Sequence, residues 1–423
     1  MAISPARRAA FDVLLRIERD RAFSSILLPE AEAGLSAPDK ALTHEITLGA
    51  LRRQLYLDHV IGERSRARSL DVEVRIALRL GIYQLLFLDR VPDHAAINDS
   101  VELVKRAKKG SAKGLVNAIL RRITREGPGA VPADESIRTS HPVWLLDRWA
   151  GIWGREAAVA IAEANNREPA AAMRAVTATG KELLERSGSL RSSNVPGCYL
   201  SERISPEMRS ASEQGNIYFQ DEGSQMVGWA AAQTTPGKFL DVCASPGGKA
   251  TQIANALPDA RIVAGDVTAS RVALLAEITR RFAPGRVDII RYDGELPLPL
   301  ADGHFDTVLV DAPCSGTGTI GHNPEIRYHL RPEDLPVFSR RQSVILENAS
   351  NAVRPGGHLI YSTCSLEPEE NEAVIDAFLM RNRDWTLERP HVPERFITKE
   401  GYARTFPHCD GMDGFFISVL RKA

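Results

Sequence analysis

At 423 residues the chain exceeds what one ordinary hydrophobic core supports, so two or three domains are expected. A hydrophobic content of 43% beside 25% charged residues is that of a globular protein, and a formal net charge of −1 argues against a chain that coats nucleic acid over its whole surface. Five cysteines, at 198, 243, 314, 364 and 409, form no Cys-x-x-Cys pair, which argues against a disulfide framework or zinc site; without a run of about 18 apolar residues, the reducing cytoplasm is the expected compartment.

Residues 1 to about 130 read as helix after helix. Phe11, Leu14, Leu15 and Ile17 recur at helical spacing, as do Ile46, Leu48, Leu51 and Leu55, and then Ile76, Leu78, Leu80, Ile82, Leu85 and Leu86. Asp93 caps a further helix whose apolar face carries Ile97, Val101 and Val104. Lys105, Arg106, Lys108, Lys109, Lys113, Arg121, Arg122 and Arg125 form a basic run able to hold phosphates if they share a face; a solvated helix face is the alternative. Gly127 to Pro132 breaks the pattern and is the best linker candidate.

Residues 131–215 are expected to form a linker and a small α+β connecting subdomain, with a strand near Met173 to Thr177 and a short helix from Lys181 to Arg186. Residues 216–423 then alternate. Lys238 to Val242, Arg261 to Ala264 and Val287 to Arg291 read as strands, separated by helices at Thr251 to Ala256 and Ser270 to Phe282. Strands alternating with helices predict a doubly wound α/β sheet.

The first of these strands runs into Cys243-Ala244-Ser245-Pro246-Gly247-Gly248-Lys249, where a loop opening a helix wraps a nucleotide-like ligand. A phosphate-binding P-loop needs Gly where Cys243 stands and Ser or Thr where Ala250 stands, and Gly-x-Gly-x-x-Gly is absent, so a cofactor without a pyrophosphate remains. Asp266 ends the second strand, in reach of ribose hydroxyls, and Asp293 ends the third, in reach of an adenine amino group; either alone is more often a turn former. Cys314 and Cys364 each follow an apolar run, Phe305 to Val310 and Gly357 to Tyr361, and precede small or polar residues. A lone cysteine is usually a packing residue, but two at matched strand ends point to covalent activation of an electron-poor ring followed by group transfer.

The runs Asp-Val-Cys-Ala-Ser-Pro-Gly-Gly-Lys, Asp-Ala-Pro-Cys-Ser-Gly-Thr-Gly and Tyr-Ser-Thr-Cys-Ser-Leu-Glu-Pro-Glu-Glu-Asn-Glu resemble the motifs of the RNA cytosine-C5 methyltransferases. The helical first third, through Ala95-Ala96-Ile97-Asn98 and Gly114 to Arg122, resembles the NusB-like domain, and the combination is similar to the RsmB/Sun/Fmu family of bacterial 16S ribosomal RNA methyltransferases. The resemblance implies an all-α NusB-like bundle followed by a Rossmann-like α/β domain, with S-adenosyl-L-methionine as cofactor. It also implies cofactor contacts from Cys243, Ala244, Ser245, Pro246, Gly247, Gly248, Lys249, Asp266, Asp293 and Asp311, and nucleophilic attack by Cys364. The implied partner is 16S ribosomal RNA, at cytosine 967; another RNA, or a non-catalytic assembly factor, are the alternatives. A monomer with no metal and no membrane partner is expected.

Two stretches depart from the family pattern, Gly321 to Glu325 in place of an Arg-Arg-His-Pro-Asp run, and Arg174 to Thr177 in place of Arg-Val-Asn, and both are expected to touch RNA. The chemistry the resemblance implies is consistent with the residue types. Cytosine C5 becomes nucleophilic once a thiolate adds at C6; Asp311 is suited to the proton or hydrogen bond that N3 needs, and Cys314 to assisting release. Pro313-Cys314 alone would suggest the DNA enzymes, which use that thiol as nucleophile; Thr363-Cys364 points to the RNA type.

Overall fold

The computed structural model describes residues 3–65, 69–234 and 237–423. The chain forms two compact units, Met1–Arg167 with Ile320–Leu330, and Glu168–Thr319 with Arg331–Ala423. Compactness thus places residues 131–167 with the helices rather than with a connecting subdomain.

The helical unit begins with α1 (Pro5–Asp20), α2 (Ser24–Glu32), α3 (Ala37–Arg52), α4 (Gln54–Gly62), α5 (Val72–Phe87), α6 (Asp93–Arg106) and α7 (Lys113–Glu126). The unbroken run from Ile76 to Gln84 is buried on every side of α5, which explains why its sequence is apolar all round instead of striped. Arg79 within that run keeps its charge by donating to Asp58 at 2.6 and 2.7 Å and to Glu18 at 2.6 Å. The expected basic face is largely paired: Arg106 with Asp12, Lys109 with Asp71, Lys105 with Glu102, and Arg122 and Arg125 with Glu126. Lys108, Lys113 and Arg121 stay exposed.

Three further helices, α8 (Glu135–Thr139), α9 (Val143–Trp153) and α10 (Arg155–Ala164), complete the unit together with residues 320–330. That returning segment works as a set of helix caps. The buried Glu325 carboxylate accepts from the backbone N–H and hydroxyl of Ser24 at 2.6 and 2.8 Å, at the start of α2, where the preceding Phe23 offers no side-chain cap. Fully buried Arg327 donates to the carbonyls of Ser140 and Asn165 and to Asn166 Oδ1, just past the ends of α8 and α10. Tyr328 donates to the carbonyls of Leu51 and Ser140. Within the stretch 321–325, expected to touch RNA, Gly321 accepts from Arg52 and Glu325 is buried against α2, whereas His322 and Asn323 are partly exposed.

The second unit holds two sheets. The smaller has the order β2-β3-β1-β4, with β1 (Ala171–Ala175), β2 (Leu190–Arg191), β3 (Cys198–Ser201) and β4 (Ile217–Phe219) all antiparallel. Arg174 on β1 is buried and donates to Gln220, to Thr251 Oγ1 at 2.7 Å and to the Gly248 carbonyl, so it braces the glycine loop and is no surface RNA contact. Burial without a carboxylate partner lowers its pKa to about 10.

The larger sheet comprises β5 (Lys238–Asp241), β6 (Arg261–Asp266), β7 (Val287–Arg291), β8 (Phe305–Asp311), β9 (Val353–Thr363), β10 (Trp385–Glu388), β11 (Ala403–Arg404) and β12 (Phe416–Lys422). Their order is β10-β12-β9-β8-β5-β6-β7, with β11 pairing β12. β5 to β9 pair in parallel, and β12 enters antiparallel beside β9. From β5 the chain winds outward to β6 and β7 on one side and returns to β8 and β9 on the other. A crevice therefore opens at the carboxyl ends of β5 and β8, the topological switch point where such sheets bind ligands.

Candidate active site

Each strand entering that crevice ends on a functional residue. β5 delivers Asp241 and the loop behind it, β6 ends on Asp266, β8 on Asp311, and β9 on Thr363, one residue before Cys364. Gly247 turns the loop with φ +115°, and a Cβ there would crowd Leu275 and Ile278 at 3.0 and 3.2 Å, so only glycine fits. Beyond it a cavity of about 220 Å³ opens. Its walls include Cys243, Ala244, Ser245, Pro246, Gly248, Lys249 and Asp311 from the expected set, joined by Tyr218, Gln220, Asp221 and Asp241.

Electrostatics within the crevice are uneven. Asp311 accepts from Lys249 Nζ at 2.7 Å on one oxygen and from Ser362 Oγ at 2.8 Å on the other, Ser362 being its register partner across β8 and β9. Burial alone would lower the Lys249 pKa; the Asp311 carboxylate outweighs it and holds the ammonium above the ordinary lysine value. Asp241 is 1% exposed, and neither of its oxygens has a hydrogen-bond partner among the described residues. Burial, and then the charge of Asp311, push its pKa up to about 8. An orphaned carboxylate facing a cavity suits a cationic ligand group.

Asp266 and Asp293 are not in the wall of that cavity. Asp266 accepts from the Ser245 and Val267 backbone N–H groups and from Arg271 Nε, which leaves room for about one further donor on a carboxylate. Asp293 accepts from the Glu295 N–H in a local turn.

The two thiols meet. Cys314 Sγ lies 3.4 Å from Cys364 Sγ, although fifty positions separate them in the chain. Hydrogen bonding to Cys364 first, then burial and the charges of Glu370 and Asp311, hold the Cys314 pKa well above the ordinary thiol value. Either thiol can donate across this contact. At Cys243, burial and then the neighbouring carboxylates Asp266, Asp241 and Asp311 push the pKa up, which disfavours the thiolate.

Sequence reasoning missed two participants, Asp241 and Glu370, and the pairing of a third, Lys249. Asp241 stood inside the quoted glycine-loop run, and its position at the strand end was the available signal. Lys249 was expected as a cofactor contact, whereas its ion pair with Asp311 depends on β5 and β8 being neighbours. Glu370 lay within the Cys364 run without a role, yet the structure buries it between the two cysteine-bearing turns.

A parallel sheet of this order, with a glycine loop after its first strand, a ligand crevice at its switch point and paired strand-end thiols, is that of a Rossmann-like methyltransferase. Residues 231–421 match the family model described as 16S rRNA methyltransferase RsmB/F, and residues 4–125 match the NusB family. The ribosomal RNA small subunit methyltransferase B of Erwinia tasmaniensis is 33% identical over 96% of both chains. Among solved structures, that of PH0851 is 27% identical with a TM-score of 0.83 over the whole of both chains. A methyltransferase homologue from Pyrococcus horikoshii is 28% identical with a TM-score of 0.58, over 69% of this chain and 98% of that one. The chain belongs to the RsmB/F family of RNA methyltransferases. Among the described residues no helix is long and apolar enough to cross a membrane.

Proposed function

We propose that the chain methylates C5 of a cytosine in 16S ribosomal RNA, cytosine 967 in the family's numbering of the RNA, through a covalent adduct between Cys364 and C6 of the base. The observation that carries this reading is the contact of Cys314 Sγ and Cys364 Sγ at 3.4 Å, at the ends of the neighbouring strands β8 and β9. The Thr363-Cys364 run, which resembles that of the RNA-type enzymes, favours Cys364 as the attacking thiol.

S-adenosylmethionine, when bound, supplies an electrophilic methyl group on a sulfonium. The residues of the crevice fit it: Asp241 offers an unpaired carboxylate to a cationic group, and Cys243 to Lys249 offer backbone at close approach. Asp266 retains capacity for about one hydroxyl donor. On the base side, the Cys364 thiolate forms a bond to C6, and the π pair of the C5–C6 bond moves into the ring toward N3. Asp311, fixed by Lys249 and Ser362, accompanies the proton that N3 takes up. After methylation C5 loses its proton, the C6–S bond breaks, and the sulfur recovers the electron pair as thiolate. Cys314, its Sγ 3.4 Å from that of Cys364, stabilises the departing thiolate by donating its S–H.

Exposed Lys108, Lys113 and Arg121 support a role for the helical region in holding RNA phosphates. Incubation with methyl-labelled S-adenosylmethionine and unmethylated 16S RNA, followed by mapping of the labelled base, tests the proposal. Label at C5 of one cytosine is expected, with none transferred by Cys364→Ala. Label at N4, on a ribose or on transfer RNA alone would overturn the reading.

A further inference from the structure

The structure assigns to Glu370 a function that the fold alone does not require. Its carboxylate accepts four hydrogen bonds: from the Ser315 backbone N–H at 2.8 Å, from the Ser315 hydroxyl, from Ser365 Oγ at 2.7 Å and from Gln342 Nε2 at 2.8 Å. Ser315 follows Cys314 and Ser365 follows Cys364. The two serine hydroxyls also approach each other at 3.0 Å, and Gln342 extends the brace by donating to the Pro313 carbonyl, the residue before Cys314, at 3.0 Å. One carboxylate therefore grips both thiol-bearing turns from behind.

The chemistry of this arrangement is costly. Glu370 and Gln342 are fully buried and Ser365 is 1% exposed, and every donor to the carboxylate is neutral. Burial raises the Glu370 pKa, and the four donors only partly oppose it. A buried anion without a counter-ion stabilises a fold poorly, and a neutral side chain could fill the same space. What a carboxylate supplies and a neutral residue does not is two acceptor oxygens for four converging donors, together with a negative charge beside Cys314.

We propose that Glu370 is the positioning residue that holds Cys314 and Cys364 at their working separation. This rests on the reading that these two thiols carry the reaction. Glu370 does not line the cofactor cavity, so its removal should be felt at the base and not at the methyl donor.

The test uses the full-length chain. Glu370→Gln preserves shape but replaces one acceptor oxygen by a donor, which leaves two of the converging donors without an acceptor. Expected are a fall in kcat of about 100-fold, the scale of a small misplacement of reacting atoms, and a dissociation constant for S-adenosylmethionine within about twofold of wild type. A second measurement reads the thiols without any reaction: alkylation by iodoacetamide, mapped by mass spectrometry across pH, with no RNA present. The titratable groups facing the pair are Glu370, Asp311, Lys249 and Tyr361. The wild type should label Cys364 first, whereas Glu370→Gln should label Cys314 at lower pH and lose that preference. Ser365→Ala removes one arm with little risk to folding and should reduce kcat less; in the Glu370→Gln background it should cost almost nothing more.

An unchanged kcat and an unchanged labelling preference in both variants would overturn the assignment. So would a loss of kcat matched by an equal loss of cofactor affinity with labelling preference intact, the pattern of general destabilisation. Should wild type fail to methylate RNA, the functional reading fails, while the labelling preference still decides the brace.

Discussion

Replacing Asp241 by Asn should change how stability depends on pH, in a direction the structure fixes. The native pKa is pushed up to about 8, against an ordinary 3.8. Between those values the folded chain binds a proton that the unfolded chain has released, so stability is fully present below about pH 4 and declines as pH rises through about 8. Four pKa units at about 1.4 kcal/mol each set an upper limit of about 6 kcal/mol for this single group. Asn cannot ionise, so the difference in unfolding free energy between Asp241→Asn and wild type should grow in favour of the variant from pH 5 to pH 8.5. Urea denaturation of the ligand-free proteins at a series of pH values measures this. The variant should in return bind S-adenosylmethionine more weakly, and wild-type binding near pH 6 should release protons, read by calorimetry in buffers of different ionisation heat. Parallel stability curves, or binding without proton release, would refute the claim that Asp241 waits uncharged for a cationic ligand.

Other substitutions probe the remaining parts. Cys364→Ala should abolish methyl transfer and leave cofactor affinity within about twofold, a rate above about a tenth of wild type being incompatible with a covalent role. Cys314→Ser should still form the bond to C6 but release it slowly, so a protein–RNA adduct should accumulate on denaturing gels; an adduct seen only with Cys364→Ala would exchange the two roles. Gly318→Ala would place a methyl group 2.0 Å from the Gly414 carbonyl oxygen and 2.9 Å from that of Cys364. A stability loss of about 1–3 kcal/mol is expected from such overpacking, with kcat falling further than stability alone explains; a wild-type melting temperature would contradict the geometry. Glu325→Ala should cost about 1–2 kcal/mol by removing the acceptor at the start of α2, measured by urea denaturation, and no loss would mean that this contact is not a cap.

What the sequence by itself determined is local. The glycine loop from Cys243 to Lys249, the apolar run before Cys314 and the one before Cys364 are contiguous, and the strand period turns contiguity into position at a sheet edge. The helical first third was legible for the same reason: the spacing of Phe11, Leu14 and Ile17 is a property of one helix. The tertiary structure alone decided which of these pieces face one another. That Cys314 stands 3.4 Å from Cys364 follows from β8 and β9 being neighbours in register, with Asp311 opposite Ser362. Asp266 read as a free acceptor, but Arg271 and two backbone N–H groups reach it once α and β elements pack. Arg174, Gly321 and Glu325 looked like surface contacts, and all three are buried in hydrogen-bonded seats. A charged side chain carries no sign in its sequence of whether a partner will be brought to it, because the groups that pair with Glu370, Glu325 or Arg327 come from 5 to 301 positions away.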